Sequence, residues 1–291
     1  MPGFDLHFHS SYSDGKLSVQ EIARILIKKN LDFCALSDHN TVIGIRELKK
    51  YLKNSPTEVI PATELTTKYG DDEIHILAYD FDIDTVADIL EYRNDLVRKE
   101  KIEEMQKAVD LFRSAGFCVS SNLSPTEKQP VGLTVALDVH SHAKNQEVFQ
   151  KEHGKMFSLD DIYYEYQAPG KACAVERAGV TVGWVVEQFK DIAKDLIVAH
   201  PFVPVSVVVK PLSEVTIQNL IQLGISGVEV YHNKTTLQQI NSLENLVQAN
   251  GLHYTGGSDS HGKVGKDTPL GQYNENKKLE RFQLTNYQMQ E

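Results

Sequence analysis

The stretch Phe4-Asp5-Leu6-His7-Phe8-His9 decides how the rest of the chain is read. Phe4, Leu6 and Phe8 alternate with Asp5, His7 and His9, the period of a β-strand, so both histidines project from one side. Ser18 then caps a helix to about Lys29, with Ile22, Ile25 and Leu26 on its buried stripe and Asn30 as its stop. An apolar run follows, Leu31-Asp-Phe-Cys-Ala-Leu-Ser37-Asp38-His39, and it too ends on polar residues. A second helix, about Ile43 to Leu52, leads to Val59-Ile-Pro-Ala-Thr-Glu64.

The same grammar returns later. Ile74-His75-Ile-Leu-Ala-Tyr79, Leu196-Ile-Val-Ala-His200-Pro201, Gly227-Val-Glu-Val-Tyr231 and Leu252-His-Tyr-Thr-Gly-Gly-Ser-Asp259 read as strands, with helical patterns at Leu212 to Leu223 and Thr235 to Ala249. Strands alternating with helices predict a mostly parallel sheet. Polar residues gathered at strand C-terminal ends are where barrel-type α/β enzymes build their sites, so the expectation is a barrel or a strongly curved sheet. The interval 85–190 breaks the rhythm with a long charged helical pattern from Ile89 to Ala115, the turn-rich Ser120-Ser-Asn-Leu-Ser-Pro125 and a helix near Leu159 to Tyr166. It reads as a mainly helical inserted cap, leaving 1–84 and 191–291 as the main domain.

The 291 residues allow one large α/β domain with an insertion, or two smaller domains. A net charge of -10 argues against extended coating of nucleic acid, which needs many phosphate-neutralising cations. Cys34, Cys118 and Cys173 form no CxxC pair, which predicts neither a disulfide framework nor a zinc ribbon. The N-terminus has no signal-peptide pattern, and no run of about 18 apolar residues occurs, so a cytoplasmic protein without a membrane span is expected.

The ionisable residues at strand ends are His7, His9, Asp14, His39, Glu64, His75, His200, Asp259 and His261. An open site for one transition ion takes about three or four protein ligands, so nine positions suffice for two or three ions, with a carboxylate as a bridge. A lone HxH, a Ser-Asp-His turn or an Ala-His-Pro loop is usually structural; their joint occurrence in this order points to metal. Asp138-Val-His140-Ser-His142 repeats the HxH spacing inside a helical pattern, where residues two apart face away from each other, and reads as solvated surface. The sequence contains no GxGxxG, P-loop or GxSxG, which leaves nucleotide-cofactor, kinase-like and serine-hydrolase readings unsupported.

Taken together, His7-Phe-His9, Asp14, Ser37-Asp38-His39, Glu64, His75, Ala199-His200-Pro201 and Gly257-Ser-Asp259-Ser-His261 resemble the PHP (polymerase and histidinol phosphatase) metal-dependent phosphoesterases over about residues 1–80 and 190–265. The resemblance implies a distorted (β/α)7 barrel and a trinuclear centre of divalent ions: manganese, iron or zinc, and less readily magnesium. It implies that His7, His9, Glu64 and Asp259 surround one ion. Glu64 would bridge to a second held by His75 and His200, and Asp14, His39 and His261 would hold a third. Three divalent ions would outweigh three carboxylates by about three charges, so an acidic protein could still attract phosphate.

The chemistry implied is attack on phosphorus by a metal-bridging hydroxide. Asp38 is expected beyond the ligands as an orienting partner or proton shuttle, against the alternative of an exposed turn residue. Lys171, Arg177 and His232 are the expected substrate contacts. The insertion resembles the nucleotide phosphatase and 5'-3' exoribonuclease-like branch, implying small nucleotides or short oligonucleotide ends as substrates. Histidinol phosphate and a non-catalytic metal-bearing module are the alternatives. Oligomeric state is not legible.

Overall fold

The computed structural model describes residues 3–70, 72–126, 129–204, 209–263, 268–272 and 281–289. The chain divides into two compact units, Met1–Tyr92 with Val180–Glu291, and Arg93–Gly179.

The first unit opens with β1 (Phe4–Phe8), α1 (Val19–Lys29), β2 (Phe33–Leu36), α2 (Ile43–Tyr51), β3 (Glu58–Val59), β4 (Ala62–Tyr69) and β5 (Asp72–Tyr79). Every residue of β1 is buried, so its alternation separates an apolar from a polar interior surface rather than core from solvent. Ser18 caps α1 through a reciprocal pair: its Oγ accepts the Glu21 N–H, and Glu21 accepts the Ser18 N–H at 2.8 Å. At the other end Asn30 closes the helix with φ +51°. Val19, Ile22, Ala23 and Leu26 face the core, with Ile25 only half-buried against it.

From β5 the chain enters α3 (Ile83–Ser114), which leads into the second unit. There it forms α4 (Val131–Ser141), α5 (Ala143–His153), α6 (Leu159–Ile162) and a π-helical turn at Tyr163–Gln167. This unit has its own core of Phe112, Phe117, Val135, Val139, Phe149 and Phe157, with the rings of Phe149 and Phe157 stacked 4.4 Å apart. Asn145 clasps the loop before α4: its Oδ1 accepts the Cys118 N–H at 2.8 Å, and its Nδ2 donates to Cys118 O and Val139 O. Asp138 binds Ser120 Oγ at 2.6 Å and lies 3.4 Å from His142 Nε2, so it fastens this loop instead of facing solvent.

The first unit resumes with α7 (Val182–Phe189), β6 (Asp195–Val198), α8 (Glu214–Leu223), β7 (Gly227–His232), α9 (Leu237–Asn250), β8 (His253–Gly257), β9 (Phe282–Gln283) and β10 (Gln288–Met289). The strands form two sheets, β1-β2-β3 and β10-β9-β8-β7-β6-β5-β4. β1-β2-β3 and β6-β7-β8 are parallel, whereas β5 runs antiparallel to both β4 and β6. The reversal follows from the tight turn at Gly70, where φ is +60°.

The observed architecture is therefore mixed α/β, and the ladders do not close into the (β/α)7 ring that the resemblance implies. β3 has only two residues, and Pro61 after it has no N–H to extend a ladder toward β4. The two sheets nevertheless meet at single parallel bridges, Phe8 with Ser260 and His39 with Glu64. At the first of these seams β1 and β8 approach closely: a Cβ on Gly257 would lie 2.3 Å from the Cβ of His7. Asp5 strengthens the same seam, accepting N–H bonds from Ser258 at 2.9 Å and Gly271 at 2.6 Å. No helix among the described residues is long and apolar enough to cross a membrane.

Candidate metal centre

Both seams carry the residues singled out above. At one, Asp259 N–H donates to His7 O at 2.7 Å and His9 N–H to Ser260 O at 2.9 Å. At the other, Asn40 N–H donates to Glu64 O at 2.9 Å and Glu64 N–H to Ser37 O at 3.2 Å. Backbone pairing thus places His7, His9, Glu64 and Asp259 at the two seams.

Glu64 is the third residue of β4, fully surrounded, and its two oxygens divide the histidines. Oε2 lies 3.2 Å from His7 Nε2, 3.2 Å from His9 Nε2 and 3.3 Å from His39 Nδ1. Oε1 lies 2.9 Å from His75 Nδ1 and 3.2 Å from His200 Nε2. Asp259 faces the same space, with Oδ1 3.2 Å from His9 Nε2 and 3.5 Å from His7 Nε2. At the open side Asp14 Oδ2 meets His261 Nε2 at 3.1 Å, and Oδ1 stands 3.9 Å from His9 Nδ1. His200 and Asp259 both adopt left-handed backbone conformations, φ +32° and +48°, the kind of local strain that is concentrated at functional sites.

All nine expected ligands are therefore neighbours in one cluster. Three subsets bring ligand-capable atoms within 4.8 Å of one another: His9, Asp14, His39 and His261; His7, His9 and Asp259; and His39, Glu64 and His75. The grouping differs from the division implied by the resemblance, because His9 and His39 each fall in two subsets.

A divalent cation fits what these side chains lack. Nε2 of His7, both ring nitrogens of His9 and Nδ1 of His39 are buried and make no hydrogen bond. Three of these nitrogens, His7 Nε2, His9 Nε2 and His39 Nδ1, stand against carboxylates that could share an ion with them. Imidazole and carboxylate donors suit manganese, iron or zinc.

The electrostatics point the same way. Burial opposes ionisation of Glu64 and Asp259, but the surrounding histidines hold both well below the usual carboxylate range. Burial likewise opposes protonation of His9 and His75, yet Asp259 and Glu64 push His9 up to about 10, and Glu64 with Glu73 pushes His75 up to about 9. His39 is pushed down to about 3 by burial, despite Glu64. Protons thus compensate the carboxylates where cations could do so.

The surrounding residues orient this cluster. Asp38 is buried, ruling out the exposed-turn alternative; it accepts from Ser10 N–H at 2.7 Å, Ser10 Oγ at 2.6 Å and Ser13 Oγ at 2.5 Å, and so anchors the loop carrying Asp14. In that loop a Cβ on Gly15 would sit 2.6 Å from His9 O, so only glycine fits. Glu73 stands 3.3 Å from His75 Nε2. Fully buried His232 accepts the Lys234 N–H on Nδ1 at 3.2 Å, which leaves its Nε2–H to donate to Asp259 Oδ2 at 3.2 Å. Its ring is thereby engaged in holding Asp259. Tyr231 packs in the wall, its hydroxyl on Glu244 at 2.7 Å. Lys171 and Arg177 belong to the second unit, where Lys171 pairs with Glu165 at 3.8 Å.

Glu229 escaped the sequence reading. It is fully buried in β7, with Oε1 2.9 Å from His7 Nδ1 and Oε2 accepting the His200 N–H at 2.8 Å. Nothing in the sequence marked it, because an acidic residue alternating with apolar ones in a strand reads as solvent-facing.

Residues 5–123 match the model of the PHP domain. That segment is similar to PHP domains. It is 24% identical over 208 residues to the 5'-3' exoribonuclease Rnm of Escherichia coli K12, covering 68% of this chain and 65% of that one. It is 22% identical over 283 residues to the 3',5'-nucleoside bisphosphate phosphatase of Chromobacterium violaceum, covering 92% and 90%. A structure described as a candidate metal-dependent phosphoesterase from Bifidobacterium adolescentis superposes with a TM-score of 0.61 at 20% identity, covering 96% of this chain and 93% of that one. This chain shares that fold.

Proposed function

We propose that this protein belongs to the PHP family and is a metal-dependent phosphoric ester hydrolase acting on phosphate monoesters of small nucleotides, nucleoside monophosphates or 3',5'-bisphosphates, or on short oligonucleotide ends. One observation carries the reading: buried nitrogens of His7 (Nε2), His9 (Nε2) and His39 (Nδ1) that make no hydrogen bond all stand 3.2 to 3.3 Å from Glu64 Oε2. Relatives named as a bisphosphate phosphatase and an exoribonuclease support the nucleotide class. Two or three divalent ions, manganese, iron or zinc, would be held by His7, His9, Glu64 and Asp259, by Glu64, His75 and His200, and by Asp14, His39 and His261.

Bound there, the ions supply Lewis acidity and a water of lowered pKa. The chain's own residues do the rest. Glu64 serves two ligand groups with its two oxygens, one turned to His7, His9 and His39 and the other to His75 and His200. Asp38 holds the loop bearing Asp14, and His232 holds Asp259. Burial of His7, His9 and Glu64 keeps water from competing for their donor atoms. Lys171 and Arg177 are proposed as phosphate-contacting cations on the sequence pattern alone. On the same reading the two sheets are a distorted (β/α)7 barrel opened at two seams, which the Phe8–Ser260 and His39–Glu64 bridges support. A cytoplasmic setting is supported by the free thiols of Cys34, Cys118 and Cys173.

Assay of the manganese-loaded protein on nucleoside monophosphates, a 3',5'-bisphosphate, short oligoribonucleotides and histidinol phosphate tests the proposal. Release of phosphate or mononucleotides from the first three classes is expected. Histidinol phosphate as the sole good substrate, or inactivity of a fully loaded protein on all of them, would overturn it.

A further inference from the structure

We propose that Glu229 is a positioning residue: it selects the nitrogen that His7 presents to the centre and, with its other oxygen, fixes the backbone of His200. The inference rests on the metal-centre reading and adds to it a residue outside the ligand set.

Glu229 Oε1 lies 2.9 Å from His7 Nδ1. An imidazole that donates through Nδ1–H keeps its lone pair on Nε2, and Nε2 is the nitrogen that stands 3.2 Å from Glu64 Oε2 and 3.5 Å from Asp259 Oδ1. Without an acceptor at Nδ1, the protein would no longer favour that tautomer before an ion arrives. Glu229 Oε2 accepts the backbone N–H of His200 at 2.8 Å. His200 has φ +32°, which a residue with a Cβ rarely adopts, and its ring reaches Glu64 Oε1, the oxygen that His7 does not meet. One carboxylate therefore restrains two histidines that approach different oxygens of Glu64. Both of its partners donate, so two acceptor oxygens are required. A carboxamide has only one: in Glu229→Gln, either His7 Nδ1 or His200 N–H must face an NH2 group.

The test combines manganese titration by calorimetry with nitrogen-15 spectra of the zinc-loaded histidines. In the wild type His7 is expected to carry its proton on Nδ1. Glu229→Gln should keep its circular dichroism and lose about 10–100-fold in manganese affinity, as for other residues that orient metal-binding histidines. Glu229→Asp keeps two acceptors and should lose less.

Wild-type protein that binds no manganese would refute the metal centre itself. Zinc-loaded wild-type protein with the His7 proton on Nε2, or Glu229→Gln with wild-type manganese affinity, would refute the role of Glu229 alone. The wild-type proton position decides the matter even if Glu229→Gln does not fold.

Discussion

His75 Nδ1 lies 2.9 Å from Glu64 Oε1 although the two residues stand on antiparallel strands, Glu64 paired in register with Leu77 and His75 with Thr66. The reversal of β5 is what makes this contact. It brings the first half of β5 to the end of the fold where β1, β2, β6 and β8 finish, so a histidine early in its strand meets others at or just beyond the ends of theirs. Glu64, early in β4, is then flanked by both sheets and becomes the common partner of five imidazoles.

Replacing Glu64 with Gln therefore removes the shared negative charge while keeping its volume. Both metal content and turnover should fall, turnover by more than the ~100-fold upper range for residues that only orient ligands. His142→Ala, in the second unit, should leave both unchanged. Metal analysis and phosphate release for the two variants check this, with circular dichroism to show that each folds. Near-normal Glu64→Gln beside an inactive, metal-free His142→Ala would move the site to the second unit.

Metal binding should compete with protons. His9 holds its proton up to about 10 and His75 up to about 9 in the metal-free protein: burial opposes the charge, and the neighbouring carboxylates outweigh burial. Ligation requires neutral imidazole, so apparent affinity should rise from pH 6 toward 9, with protons released at pH 7. The sign for stability is opposite. A histidine with a raised pKa stabilises the fold fully below its unfolded value of about 6.5, and that contribution disappears as pH rises through 9 to 10. Calorimetry in buffers of different ionisation enthalpy measures the protons; none released at pH 7 would contradict this account.

Gly257→Ala should disturb the centre through backbone alone. The new Cβ would meet His7 Cβ at 2.3 Å and His7 N at 2.5 Å, neither of which can rotate away. Overpacking of this kind costs about 1–3 kcal/mol, and β1 would have to shift with both of its histidines. Thermal unfolding should show the loss, and manganese affinity should fall with it. Unchanged affinity would mean that the β1–β8 seam does not set the site.

Much of the centre was legible because period two is unambiguous in Phe4–His9 and because His39, His200 and Asp259 end or follow apolar runs. The reversed course of β5 was not, since Ile74–Tyr79 has the same apolar character in either direction and residue type does not encode strand polarity. Glu229 was passed over for a related reason. Within Gly227-Val-Glu-Val-Tyr231 it reads as the exposed face of an alternating strand, and only the sheets packed around it reveal its burial. His232 looked like a pocket residue because it follows a strand, but its ring is committed to Asp259 by the backbone N–H it accepts from Lys234. The short β9 and β10, with two residues each, carry too little pattern to be seen.

The most direct measurement is elemental analysis of the purified protein joined to anomalous scattering from its crystals. The account predicts two or three divalent ions per chain, clustered around His7, His9, Glu64 and Asp259 with His39, His75, His200, Asp14 and His261 about them. Ions bound only at His140 and His142, or none at this cluster after saturation with manganese or zinc, would contradict it.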